Sequence, residues 1–365
     1  MVYICLFCIE NHRYGQTKHY IGRWRQCRGK LPGHCFRKPQ HRHSGVLCRL
    51  VFPSPPSRLL GMDKPFQQSP ELRILQGYKV YRILVEEPAP LVALFGYSAR
   101  KGHRVLYTTL NDYELERLET GVPPLAERID TFKKLATRLG KEAVIWRFDP
   151  MLLTGNLSLD GLLDKVERIG DQLKGYTEKM VFSYADIANY RKVKSNLDKS
   201  GICYREWTEG QMVEFAERLS ELNKTNGWNY ALATCGEKVE LARYGIAHNR
   251  CIDADLIARL AWQDKTLMKY MGVEVKEITS YGLFDDGLLP PGAIPLPGNR
   301  YFISQHKKDP GQRLLCGCMA SKDIGEYDTC PHLCEYCYAN SSKSSALANW
   351  ERHQNNKFSE TITGK

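Results

Sequence analysis

From Val105 onward, short apolar runs alternate with longer stretches in which apolar residues recur every three or four positions. Residues 105–110 predict a strand that ends in the turn-like pair Asn111-Asp112. Over residues 124–139, Leu125, Ile129, Phe132, Leu135 and Leu139 share one face, which predicts an amphipathic helix. Residues 143–148 predict the next strand, 159–173 a helix, 179–184 a strand, 208–222 a helix opened by Thr208-Glu209, and 230–234 another strand. Near-continuous apolar strands are buried on both faces, and helices between them serve as crossovers. The class is therefore α/β with a parallel sheet, either a barrel or a doubly wound sheet.

Between residues 281 and 300 the composition turns to Gly and Pro. Pro290-Pro291, Pro295 and Pro297 cannot extend a helix or a central strand, so residues 273–312 read as a linker or lid. A cysteine-rich stretch at 313–340 follows, and then a polar tail at 341–365, expected to be poorly ordered. No internal repeat is visible.

Composition adds the compartment and the partners to exclude. The 365 residues are 42% hydrophobic and 25% charged, with no run of 18 apolar residues and no secretory leader pattern, which predicts a soluble cytoplasmic protein without a membrane partner. Thirteen cysteines in a chain of this length point to reduced thiols and metal ligands, not to a disulfide scaffold. The net charge of +11 would suggest nucleic acid, but it is not spread along the chain: residues 1–106 hold 18 Lys+Arg against 5 Asp+Glu, and the remainder is close to neutral. Nucleic-acid binding is accordingly the weakest functional reading.

The chemistry concentrates in Cys330-x3-Cys334-x2-Cys337, with Tyr336 before the last cysteine. A tight loop with such gaps can bring three thiolates to three irons of a cubane and leave the fourth iron open. The motif resembles that of radical S-adenosylmethionine (SAM) enzymes, in which the open iron chelates SAM and its C–S bond is cleaved reductively. Two other readings stay open: a closed zinc site, and a closed four-cysteine cluster that carries electrons or holds the fold, with Cys316 or Cys318 supplying the extra ligand or these two serving a second metal. Cys235, at a strand end, and Cys251, at the start of a helix, are further candidate metal ligands, with burial as small apolar residues the alternative. Cys203 reads as structural.

Polar residues follow several strands. Arg147 and Asp149 end one strand, Ser183 and Asp186 the next, and these four are the candidate catalytic residues. Asn111 and Tyr336 are the candidate cofactor contacts. The alternative is an Arg147–Asp149 ion pair with helix caps nearby.

Five segments, TLNDYE at 109–114, VPPLAERIDTF at 122–132, VIWRFDP at 144–150, YGIAHNRCID at 244–253 and the run from Cys316 to Asn340, resemble domain-of-unknown-function family 1848. That resemblance covers 107–272 and 313–340. It implies a radical-SAM-like partial (β/α) barrel of parallel strands at 107–272, with a C-terminal cluster-binding loop, a [4Fe-4S] cluster, SAM, an electron donor such as a flavodoxin or ferredoxin, and a substrate it does not specify. A noncatalytic iron-sulfur or zinc module for electron transfer or partner binding is the alternative.

The family's N-terminal signatures, of the type SASRRTDIPAFY and FWTKNP, do not occur in the chain. Reading codons permitted by residues 31–106 one nucleotide later produces SASRSTDIPAFY and then FWSKNP, leading into the in-frame TLNDYE. Residues 1–106 are therefore expected to be aberrant, with 31–106 out of frame, little order before residue 100, and an uncovered sheet edge beside the strand at 105–110. The zinc-finger reading of Cys5, Cys8, Cys27, His34 and Cys35 falls with that expectation.

Overall fold

The structure, a computed structural model, describes residues 2–8, 78–85, 103–278, 289–323 and 326–356. The strands are β1 Val2–Cys8, β2 Tyr78–Val85, β3 His103–Thr109, β4 Val144–Met151, β5 Leu153–Thr154, β6 Lys179–Tyr184, β7 Tyr204–Arg205, β8 Ala231–Thr234, β9 Ala247–His248, β10 Val275–Glu277, β11 Ala293–Leu296, β12 Arg300–Ile303 and β13 Lys322–Asp323. The helices are α1 Leu125–Leu139, α2 Leu159–Leu173, α3 Arg191–Lys199, α4 Glu209–Thr225, α5 Ala254–Ala261, α6 Lys265–Met271 and α7 Lys343–Asn355.

One eight-stranded sheet runs β13-β1-β2-β3-β4-β6-β8-β9. From β2 to β9 every neighbouring pair is parallel, whereas β1 pairs antiparallel with both β2 and β13. Spatial order follows chain order throughout the parallel part, so the sheet has no switch point at which the winding reverses.

The sheet's two faces differ. Leu106, Val144, Trp146, Phe148, Met180, Phe182 and Leu232 belong to one apolar cluster with Ile129, Phe132 and Leu135 of α1, Leu162, Val166 and Ile169 of α2, Leu197 of α3 and Phe215 and Leu219 of α4. The alternate residues Val105, Tyr107, Ile145, Val181 and Ala233 form a second cluster, packed by Cys235 and by Leu256 and Leu260 of α5. Strand period two thus hands one face to the crossover helices and the other to α5. Arg147, Ser183 and Cys235 continue the second face at the carboxyl ends of their strands.

Local signals explain the helices. Ser158 accepts from the Gly161 N–H to cap α2, Thr208 and Gln211 form a reciprocal capping box on α4, and Asp253 and Asp264 cap α5 and α6. Close packing is visible at Gly170 of α2, where an added Cβ would stand 2.7 Å from the Trp228 ring. The linker at 273–312 carries a separate antiparallel sheet, β10-β12-β11. Pro295 sits in β11, an edge strand that needs no donor there, and Gly298 and Asn299, both at positive φ, turn the chain between β11 and β12.

Two differences from expectation have physical causes. The polar tail at 341–365 contains α7, which is capped by Ser342 and buries Ala346 and Asn349; so few buried positions leave no apolar stripe to read. The edge of β3 is covered, because β2 lies beside it in parallel register. Residues 9–77 and 86–102 lie outside the described residues, and with them Cys27, His34 and Cys35 of the zinc-finger reading. Among the described residues no helix is long and apolar enough to cross a membrane.

Candidate functional site

The loop carrying Cys330, Cys334 and Cys337 docks on the carboxyl end of β3. Cys330 and Cys334 are buried and Cys337 is half-buried. The Cys337 N–H donates to the Cys334 carbonyl at 3.0 Å, and Asn340 Nδ2 donates to the Cys330 carbonyl at 2.9 Å, which closes the loop on itself. Outside contacts fix its seat: Gly121 N–H donates to the His332 carbonyl at 2.9 Å, and the Glu335 N–H donates to the Leu118 carbonyl at 2.9 Å.

Tyr336 is the anchor. Its hydroxyl donates to Glu119 Oε1 and accepts from Asn111 Nδ2 at 3.2 Å. Asn111, fully buried, also donates to Glu119 Oε1 at 2.9 Å and to the Asp149 carbonyl at 3.2 Å, while its Oδ1 accepts from the Asp149 N–H at 2.9 Å. Arg128 Nη2 donates to the Asn111 carbonyl at 3.1 Å and faces Glu119 at 3.7 Å. The polar atoms of Asn111 and the hydroxyl of Tyr336 are thus engaged within the protein, and the pair position the loop. Tyr113 buttresses them: its ring meets that of Tyr336 edge-on at 6.1 Å, its hydroxyl donates to the Pro150 carbonyl at 2.7 Å, and burial pushes its ionisation well up.

The strand-end polar residues meet beside this anchor. Asp149 pairs with Arg147 and accepts from Ser183 Oγ on its other carboxylate oxygen. Burial works against the Arg147 charge, but Asp149, Cys235 and Cys251 outweigh it and raise the guanidinium pKa. Asp186 does not join this group by hydrogen bonding; it is exposed and accepts from Asn189 Nδ2 at 2.7 Å. Asp112 faces α2 instead, against Lys165 and Arg168.

One residue of this mouth escapes sequence reasoning. Glu237, three residues past β8, accepts from the Tyr184 N–H at 2.9 Å. Burial, and next the Asp149 and Asp186 carboxylates, push it up to about 7, against the Tyr184 N–H and Arg313, which lower it. No motif marks it; only the parallel packing of β6 against β8 brings it to Asp149.

The remaining cysteines assemble apart from the loop. Cys334, Tyr336 and Cys337 belong to the large apolar cluster, whereas Cys251, Cys316 and Cys318 belong to a smaller one around α5, α6 and β12. Cys235 and Cys251 stand 3.6 Å apart, sulfur to sulfur, and Arg147 Nη1 lies 3.7 Å from the Cys251 sulfur. Cys203 is exposed, away from both groups. Hydrogen bonding to Cys251, and then burial, push the Cys235 thiol pKa up. The two groups of cysteines are joined through protein: Tyr336 to Asn111, Asn111 to Asp149, Asp149 to Arg147 and Arg147 to Cys251.

A family model described as Domain of unknown function (DUF1848) matches residues 78–339, which takes in residues 78–106 of the N-terminal segment. No curated protein and no solved structure matches the chain.

Proposed function

We propose, from the premise that the chain belongs to the domain-of-unknown-function family 1848, that it is a SAM-dependent radical enzyme whose [4Fe-4S] cluster is held by Cys330, Cys334 and Cys337. The observation that carries this reading is the seat of the cysteine loop. Tyr336 ties it to Asn111 and Glu119, just past the carboxyl end of β3 and beside Asp149, and carboxyl ends of parallel strands are where such sheets bind ligands. Chain-order strands with four crossover helices on one face further support a radical-SAM-like partial barrel over a doubly wound sheet.

The donor set fits a cubane. Three thiols sit in one self-closed loop, two of them buried. Among the described residues no group of three or more His, Cys, Asp or Glu side chains is placed to hold one metal ion; a cubane instead spreads its thiolates over separate irons. When bound, the cluster would supply the electron that cleaves SAM, drawn from a donor such as a flavodoxin or ferredoxin.

The chain's own residues would do the positioning. Asn111, Glu119 and Arg128 hold the loop through Tyr336. Arg147, buried and paired with Asp149, supplies a permanent positive charge behind the mouth and fixes the Asp149 carboxylate. Ser183 and Glu237 supply a hydroxyl and a carboxyl that can hold a proton near neutral pH. The test is anaerobic reconstitution with iron and sulfide, followed by dithionite and SAM. Release of 5'-deoxyadenosine, lost in Cys334→Ala, is expected; a protein that binds four irons and never releases it overturns the catalytic reading in favour of an electron carrier.

A further inference from the structure

We propose that Cys235, Cys251, Cys316 and Cys318 form a second metal site, a mononuclear tetrathiolate centre that takes zinc. The four cysteines come from three places in the fold. Cys235 follows β8, Cys251 lies between β9 and α5, and Cys316 and Cys318 flank Gly317 in a turn after the antiparallel sheet. Cys251, Cys316 and Cys318 pack in one cluster, the Cys318 thiol interacts with those of both Cys251 and Cys316, and Cys235 stands beside Cys251, so the thiols run in a row from Cys235 through Cys251 and Cys318 to Cys316.

Distance identifies the kind of centre. The 3.6 Å between the Cys235 and Cys251 sulfurs is far beyond the ~2.05 Å of a disulfide. It is close to the edge of a sulfur tetrahedron around zinc, about 3.8 Å for Zn–S bonds of about 2.3 Å. A cubane would spread its thiolates over separate irons and hold them farther apart. Among the described residues no group of three or more His, Cys, Asp or Glu side chains is placed to hold an ion, so binding has to draw the four thiols from this row into a cage.

The surroundings suit thiolates. Asn249 Nδ2 lies 3.1 Å from the Cys251 sulfur, the Ile252 N–H donates to the Cys318 sulfur at 3.4 Å, and Arg147 Nη1 approaches Cys251. Three N–H donors, one cationic, directed at sulfur are the outer-shell arrangement that orients metal-bound thiolates and offsets their charge. The Cys-Gly-Cys turn is itself braced. A His306 ring nitrogen meets the Gly317 carbonyl at 2.5 Å, the Met319 N–H donates to the Ile252 carbonyl at 3.1 Å, and a Cβ on Gly317 would press on Arg250 at 3.1 Å. An ion here would clamp the last strands of the parallel sheet to the segment that leads into the cluster loop.

The experiment uses the full chain, expressed in medium containing zinc and analysed for zinc and iron per chain. About one zinc per chain is expected, bound by four sulfurs at about 2.3 Å in X-ray absorption of the wild-type protein. That zinc should be lost in Cys251→Ser and Cys318→Ser and retained in Cys334→Ala, which should lose iron instead. Zinc that leaves with Cys334→Ala overturns the proposal, as do nitrogen or oxygen ligands in the absorption spectrum. Wild-type protein without zinc, or with a Cys235–Cys251 disulfide, also overturns it. The absorption measurement needs no variant, so misfolding of the serine substitutions leaves the test intact, and the 5'-deoxyadenosine assay fails or succeeds independently.

Discussion

Gly121 shows how a single residue can govern the cluster loop. Its backbone N–H donates to the His332 carbonyl, and its carbonyl accepts from His332 Nδ1 at 3.0 Å. A Cβ at this position would stand 2.7 Å from the carbonyl oxygens of Pro331 and His332. Those are backbone atoms and cannot swing aside, so Gly121→Ala must push the loop between Cys330 and Cys334 off its seat. The expected cost is about 1–3 kcal/mol of stability, the usual range for overpacking, together with less iron retained per chain after reconstitution. Thermal unfolding and iron analysis check it. A variant with wild-type stability and full iron would mean that the loop does not depend on this contact. The same residue illustrates what spacing cannot convey. The three cysteines are legible because a cluster dictates their short gaps, whereas Gly121 matters only through a contact 211 residues distant in sequence.

Elements with a strong apolar period were legible to within a few residues. α2 spans Leu159–Leu173 and β6 Lys179–Tyr184, as their patterns predict. α3 was not legible, since only Val193 and Leu197 are buried and one pair four residues apart makes no stripe. β9 has two residues, fewer than any period can register. In the site, Arg147, Asp149 and Ser183 were placed by the strand-end rule and meet in the structure; Glu237 and the meeting of Cys235 with Cys251 required the tertiary fold. Elements are also joined by charge. At the start of β6, Glu178 meets Lys141, before β4, and Arg259 of α5. Burial tends to raise its pKa, but hydrogen bonds from Arg259 and Lys141 prevail and lower it. A carboxylate lowered in the folded state stabilises the protein above its unfolded pKa, and that contribution disappears as pH falls through the folded value. Glu178→Gln should therefore reduce stability at pH 7 by no more than about 1 kcal/mol, since the pairs are partly exposed. The difference should vanish in acid, as measured by urea midpoints at both pH values; a difference that persists in acid would assign the loss to packing.

At the scale of the whole chain, the N-terminal reading frame decides what completes the sheet. β2 occupies Tyr78–Val85 beside β3. Re-reading codons for Lys79 to Leu91 one nucleotide later gives RFIAFWSKNPRP, whose FIAFW falls on Val80–Val85, the same strand position. A strand flanked on both sides favours a near-continuous apolar run. The given sequence has Lys79 and Arg82 in this stretch, whereas FIAFW carries no charge. The family model, however, matches residues 78–106 in the frame as given, which favours that frame over this strand. We expect a verified nucleotide read across codons 31–106 to reveal a displaced frame before codon 78, where the family model's match begins. The frame-corrected chain should accumulate in the soluble fraction at a higher level than the chain as written, because exposed or poorly matched sheet edges promote aggregation. An unbroken frame in that read would overturn the idea, and the charged strand at Tyr78–Val85 would then stand as the native neighbour of β3.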